Sequence, residues 1–246
     1  VMSFGENEGA IGYLIGEENK GLAYMFTMMN HARLNVGGQG VAVSDRAYQQ
    51  AAAYAKDRVQ GQAPGDREKG SIIRHPDVRR MLMVMRSLTE ASRALCYVTS
   101  SAFDHAHHAV DKQERTLANF RGELLTPIAK GWSTEVAQEV SSLGLQVHGG
   151  MGFIEETGAA QFMRDARITT IYEGTTGIQA NDFVGRKLMR DEGREFGRLI
   201  EEVRATSDLL CVGGAEFSTI TASLIEGAKT LEAVSYTHLT LPTKRI

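Results

Sequence analysis

An apolar stripe that begins just after His75-Pro76 constrains the fold more than any other feature of this chain. Val78, Met81, Leu82, Met85, Leu88, Ala91 and Leu95 recur mostly every three or four residues. That is helical spacing, and it puts one face of a long helix into a core. Pro76 falls at a first helical position, where the missing N–H costs nothing. The spacing predicts the longest helix of the chain, weakening toward Val110. Such a helix buries its stripe by packing on other long helices.

The rest of the chain supplies them. From Leu22 the pattern turns helical, and Ala51, Ala52, Ala53 and Ala55 with Tyr48 and Tyr54 give a strong helix former ending near Gly61. Residues 62–71 read as a polar Gly/Pro loop. After a charged turn, Asp111 to Arg115, a further helix carries Leu117, Phe120, Leu124, Ile128, Val136, Val140 and Leu143, with Pro127 marking a kink or a first turn. Glycines 149, 150 and 152 end it. A short helix is expected at about 158–168. Ile168-Thr169-Thr170-Ile171-Tyr172 is rich in β-branched residues and reads as extended. Thr176 and Gln179 have capping-box spacing and open a helix through about Met189. Residues 191–232 read as two more helices. The expectation is a mainly α protein, a bundle of four long helices with extra C-terminal helices. Residues 1–20, with Gly5, Gly9, Gly12 and Gly16 around Ile11 to Ile15, read instead as the end of a strand or hairpin.

Both ends look foreign to this pattern. Val1-Met2 lacks the look of a natural start and reads as a chain cut from a longer one. Residues 234–246 are β-prone, follow directly on an Ala/Glu/Lys helix, and resemble translated sequencing-adapter read-through, so they are set aside as a non-biological tail.

With 246 residues, 42% of them hydrophobic, the chain can build one sizeable core. A net charge of −3 without a basic stripe argues against nucleic acid or an acidic membrane as partner. No apolar run approaches the ~18 residues of a membrane span. Cys96 and Cys211 lie far apart without metal-type spacing and read as buried or half-buried thiols in a reducing, cytoplasmic setting. His105, His107 and His108 have no matching carboxylate, so a metal site is not expected.

The candidate chemistry lies between Gln146 and Gln179. Gly149-Gly150-Met151-Gly152 is either a helix cap or bare backbone that a phosphate-bearing cofactor can approach. Glu173 stands alone on a loop among Tyr172, Gly174 and Thr175, and reads either as a solvated surface acid or as a catalytic base. The helix start that follows favours its charged form. An apolar substrate closing over it would disfavour that charge and strengthen it as a base. Arg58 reads as a helix C-terminal charge, and Arg164-Asp165 as a local ion pair.

Taken together, Gln146 with Gly149-Gly150-Met151-Gly152-Phe153, then Met163-Arg164-Asp165, then Ile171-Tyr172-Glu173-Gly174-Thr175 with Ile178-Gln179, resemble the acyl-CoA dehydrogenase family in order and spacing. Gly16-Glu17-Glu18-Asn19-Lys20-Gly21 resembles the hairpin that leads into that family's helices. The resemblance covers roughly residues 5–190. It implies that 1–20 end a middle β-domain, that 21–190 form the C-terminal helical bundle carrying the base, and that 191–233 are additional helices. It implies an FAD enzyme that dehydrogenates an acyl-CoA thioester, with Glu173 taking the α-proton while a hydride passes to flavin. Arg58, Gln146, Gly149, Gly150 and Thr175 match cofactor-binding positions; Arg33, Tyr172 and Gly174 match positions near the substrate. It further implies an electron-transferring flavoprotein as partner and a homodimer or homotetramer. Pro76, the turn Arg58-Val59-Gln60-Gly61, Gly177, the long stretch Ala106–Thr126 and the helices beyond Arg190 depart from the common pattern. They resemble the larger bacterial subgroup that includes 3-methylmercaptopropionyl-CoA dehydrogenase. An acyl-CoA oxidase and a non-catalytic bundle that binds nucleic acid or a protein are the alternatives.

Overall fold

The computed structural model describes residues 3–240. Helix α1, Gly21–Asp57, is followed by a loop and a 3₁₀ turn, Ile72–Arg74; α2 is Pro76–His108 and α3 is Lys112–His148. After Gly149 come α4, Gly150–Phe153, and α5, Ala159–Thr169; then α6, Thr176–Asp182, runs into a π-helical segment, Phe183–Leu188. Helices α7, Arg194–Gly213, and α8, Ser218–Thr240, complete the chain.

Pro76 does take a first-turn position, but α2, at 33 residues, is shorter than α1 and α3, at 37 each. Asp111 is the reason α3 gains length. Its carboxylate accepts from the Glu114 N–H at 2.7 Å, so the charged residues read as a turn form the first helical turn instead. Pro127 lies buried in the interior of α3, not in its first turn.

Three long helices and one interrupted one make the bundle. Helix α2 runs antiparallel to α3, since Cys96 meets Ser133 while Met85 meets Gly144 and Phe103 meets Gly122. Helix α1 runs parallel to α3: Gly37 faces Ala129, Gly40 faces Ser133, and Tyr54 stacks on His148 at 4.5 Å. The fourth member is α5, a loop, then α6 and the π segment, antiparallel to α3 from Thr176–Glu135 down to Lys187–Glu123. The main core holds Ala47, Ala51 and Ala55 of α1, Met81, Leu82 and Met85 of α2, and Val136, Val140 and Val147 of α3. A satellite core of Leu124, Leu188, Phe196, Ile200 and Ala228 seats α7 and α8. Arg121 ties α7 down by a paired contact to Glu202 at 2.8 and 2.6 Å.

Small residues let α1 and α3 come close. A Cβ on Gly40 would lie 2.6 Å from the Ser133 carbonyl oxygen, which is backbone and cannot step aside. Gly40→Ala should therefore force the helices apart and lower stability by about 1–3 kcal/mol, the usual cost of overpacking. Urea unfolding monitored by circular dichroism checks this; an unchanged midpoint would contradict the close seam.

Several expectations are corrected. No strand or hairpin forms in residues 3–20 among the described residues; they are turns and exposed chain. Backbone donors and acceptors of a lone strand have no partner, and no sheet occurs among the described residues to receive them. Residues 168–172 are not extended: α5 continues to Thr169, and Thr169 and Thr170 bond back to the Ala166 and Arg167 carbonyls. The cap of α6 is Thr175 rather than Thr176, with its hydroxyl accepting from Ile178 N at 3.3 Å. Arg164 pairs with Glu155, not Asp165. Cys96 is buried but Cys211 is exposed. Residues 234–240, set aside from the sequence, continue helix α8, and 241–246 lie outside the described residues.

Candidate active site

The break in the fourth helix, residues 170–175, positions the candidate base. It lies over the middle of α1 and α3: the Tyr172 hydroxyl donates to Gln39 of α1, and Lys130 of α3 donates to the Gly174 carbonyl at 2.7 Å. Glu173 (φ 54°) and Gly174 (φ 88°) are successive left-handed residues. Glycine is needed at 174 twice over. A side chain there is strained at that φ, and its Cβ would sit 2.8 Å from Gln179 Nε2. Glu173 has no such excuse and carries local strain, so its neighbours must hold it. They do. Gln179, buried on α6, donates through Nε2 to both the Glu173 and Gly174 carbonyls at 3.1 Å.

Two polar side chains beneath this turn were not singled out from sequence. Lys130 is 0% exposed, the largest fully buried side chain of the described residues. Burial holds its ammonium below the ordinary lysine range; Arg33 adds to this, and Glu135 and Glu173 oppose it. The second is Asp182, which pairs with Arg33 at 2.6 Å and with Arg186 at 2.5 Å. The turn therefore rests on a buried charged layer of Arg33, Asp182 and Lys130.

The Glu173 carboxylate, half-buried, makes no hydrogen bond and no ion pair among the described residues. Its backbone N–H is likewise unpaired among the described residues. A held backbone below an uncommitted carboxylate is an arrangement suited to accepting a proton. Tyr172 and Gly174 flank it directly, and Thr175, exposed, caps α6. Arg33 lies below rather than beside it, 5% exposed and paired with Asp182, at the wall of a cavity of about 600 Å³ that Arg186, Lys187 and Arg190 also line.

The second group of expected residues gathers at the other end of the bundle. Parallel α1 and α3 finish together, tied by the Tyr54–His148 stack. His148 is buried and bonds to the Gly144 carbonyl. Arg58, the C-cap residue of α1, is exposed, and its guanidinium has no partner among the described residues. Gln146, Gly149 and Gly150 are exposed, and nothing lies within 4 Å of where a Cβ on either glycine would project. An exposed guanidinium and open, bare backbone at the same end of the bundle fit an anionic phosphate group. No cluster of three or more His, Cys, Asp or Glu that could hold a metal occurs among the described residues. No helix among them is long and apolar enough to cross a membrane.

Residues 19–189 match the family described as acyl-CoA dehydrogenase, C-terminal domain. The 3-methylmercaptopropionyl-CoA dehydrogenase of Ruegeria pomeroyi is 53% identical over 95% of this chain and 40% of its own length. The fold resembles Caenorhabditis elegans ACDH-11 solved in complex with C11-CoA, with a TM-score of 0.76 at 23% identity, over 94% of this chain and 37% of that one. It also resembles the acyl-CoA dehydrogenase of Bacillus anthracis complexed with FAD, with a TM-score of 0.62 at 28% identity, over 76% of this chain and 33% of that one. The chain thus spans about 40% of the length of the Ruegeria relative.

Proposed function

This chain belongs to the acyl-CoA dehydrogenase family, and from that premise we propose that it is the catalytic C-terminal part of an FAD-dependent enzyme that introduces an α,β double bond into an acyl-CoA thioester. The observation that carries this reading is Glu173: a half-buried carboxylate with no hydrogen bond or ion pair among the described residues, on a left-handed turn held from beneath by Lys130 and Gln179. The named activity of the 53% identical relative supports it.

FAD, when bound, supplies the acceptor for the hydride that leaves the β-carbon. The remaining work falls to this chain. Glu173 takes the α-proton, the C–H electron pair becomes the new double bond, and the carboxylate ends the step protonated. The unpaired Glu173 N–H donates to the thioester oxygen, which takes on negative charge as the α-proton leaves. Tyr172 and Gly174 flank the acyl group. Arg58 holds the pyrophosphate of a neighbouring subunit's FAD, with Gln146, Gly149 and Gly150 receiving the same adenosine-diphosphate portion; Thr175 faces the flavin of its own subunit. Arg33 supports the CoA side of the pocket.

The exposed apolar residues Phe4, Ile11, Tyr13 and Ile15 call for a covering surface. We assign residues 1–20 to the end of a β-domain completed by other parts of the protein. An electron-transferring flavoprotein as electron acceptor, a homodimer or homotetramer, and a cytoplasmic location complete the reading. Anaerobic titration of the full-length protein with saturated acyl-CoAs tests it. Bleaching of a bound flavin is expected, without rapid oxygen consumption in air. A protein that binds no flavin contradicts the reading, and fast oxygen consumption turns it toward an oxidase. This chain alone should not retain stoichiometric flavin.

A further inference from the structure

The proposed reaction makes no use of the least exposed charged side chain among the described residues. Lys130 sits within the small-residue stripe of α3 that faces α1, one turn from Thr126 and one from Thr134, both fully buried. A lysine normally keeps its ammonium in water, and complete burial is costly unless the charge is held. Lys130 Nζ is held by one backbone group, the Gly174 carbonyl, 2.7 Å away. The charged groups around it are Arg33 from α1, Glu135 from α3 itself and Glu173 from the turn, with Asp182 of α6 reaching it through Arg33.

We propose that Lys130 is a positioning residue for Glu173: its ammonium pins the Gly174 carbonyl and thereby locks the two-residue left-handed turn that aims the carboxylate. The geometry explains why one bond has that reach. A trans peptide points its C=O and the next N–H in opposite directions. Lys130 and Gln179 draw the Glu173 and Gly174 carbonyls toward the bundle interior, so the Gly174 and Thr175 N–H groups turn outward. Releasing the Gly174 carbonyl frees that peptide to rotate about Gly174 ψ and Thr175 φ, which loosens the left-handed turn that Glu173 shares with Gly174. Gln179 Nε2 has one N–H for each of the two carbonyls at 3.1 Å, and the Lys130 ammonium adds a second, charged and shorter grip on Gly174 at 2.7 Å.

This role rests on the proposed catalytic function of Glu173, but its test separates the two. Lys130→Met keeps the length and removes the donor; Lys130→Gln keeps a neutral donor. Both are made in the full-length flavoprotein. Amide hydrogen exchange at Thr176 and Ile178, whose N–H groups bond across the turn to the Thr170 carbonyl and the Thr175 hydroxyl, read without substrate, should quicken in the Met variant and stay near wild type in the Gln variant. With substrate, kcat should fall about 100-fold in the Met variant, the usual result of misplacing a reacting group by about 1 Å, while KM changes by less than about threefold and flavin content is unchanged. The Gln variant should recover most of kcat.

Unchanged exchange and kcat in Lys130→Met would overturn the proposal. So would equal loss in the Met and Gln variants, which would assign the lysine to packing or charge. If the Met variant does not fold, the Gln variant decides alone: a folded Gln protein with an ordered turn supports the clamp, and one with a mobile turn overturns it. A wild-type turn that is ordered in a protein no acyl-CoA can bleach would leave the clamp standing and remove the dehydrogenase reading instead.

Discussion

Glu173→Gln in the full-length protein should abolish flavin bleaching by acyl-CoA, with the rate falling by roughly 10²–10⁴-fold, the range expected when a positioned general base is lost. Flavin should stay bound. The substitution is nearly isosteric, and the bonds that hold the turn go to backbone: Lys130 and Gln179 grip the Gly174 and Glu173 carbonyls, not the carboxylate. The carboxylate makes no hydrogen bond or ion pair among the described residues that the substitution would break. Stopped-flow absorbance under nitrogen separates the outcomes. A variant that has lost flavin would point to a structural role, and bleaching at the wild-type rate would remove Glu173 from the chemistry.

Asp182→Ala should cost about 3–5 kcal/mol, because removing one partner of a buried ion pair leaves the other charge unpaired in a low-dielectric interior. Asp182 is 2% exposed and takes Arg33 at 2.6 Å. Without it, Arg33 faces Lys130 across the same buried layer, and Arg33 already depresses the lysine. Its Nε has no hydrogen-bond partner to begin with. For a chain of this size the loss corresponds to a fall in Tm of roughly 6–20 °C. The double change Arg33→Met with Asp182→Leu should recover most of it, since apolar residues can replace a buried pair at little cost. Differential scanning calorimetry of the wild-type protein and the two variants checks both statements. A single Ala variant with an unchanged Tm would show that water reaches this layer.

Much of the bundle was legible because its signals are local. The α2 stripe from Val78 to Leu95, Pro76 at its start, the alanines of α1 and the glycines after His148 each act over one or two turns. The misread elements are those in which side chains outbid propensity. Thr169 and Thr170 are β-prone, yet their hydroxyls bond back to helix carbonyls and complete α5. Residues 3–20 have strand composition and no partner strand. At the candidate site, Glu173 could be singled out because its motif is contiguous. Lys130 and Asp182 could not, because their partners are distant in sequence: Gly174 is 44 residues from Lys130, and Arg33 is 149 residues from Asp182. A signal for Lys130 did exist. It occupies the i+4 position between Thr126 and Thr134 on a face otherwise made of small residues, where a solvated lysine does not belong.

The proposed chemistry requires the Glu173 carboxylate to take a proton from the carbon beside a thioester. The most direct measurement is the wash-out of deuterium from the α-carbon of an α-deuterated acyl-CoA in ordinary water, followed by mass spectrometry with the full-length protein and its Glu173→Gln variant. The wild-type protein should exchange the label and the variant should not, with both holding equal flavin. Exchange at equal rates in the two proteins would contradict the account.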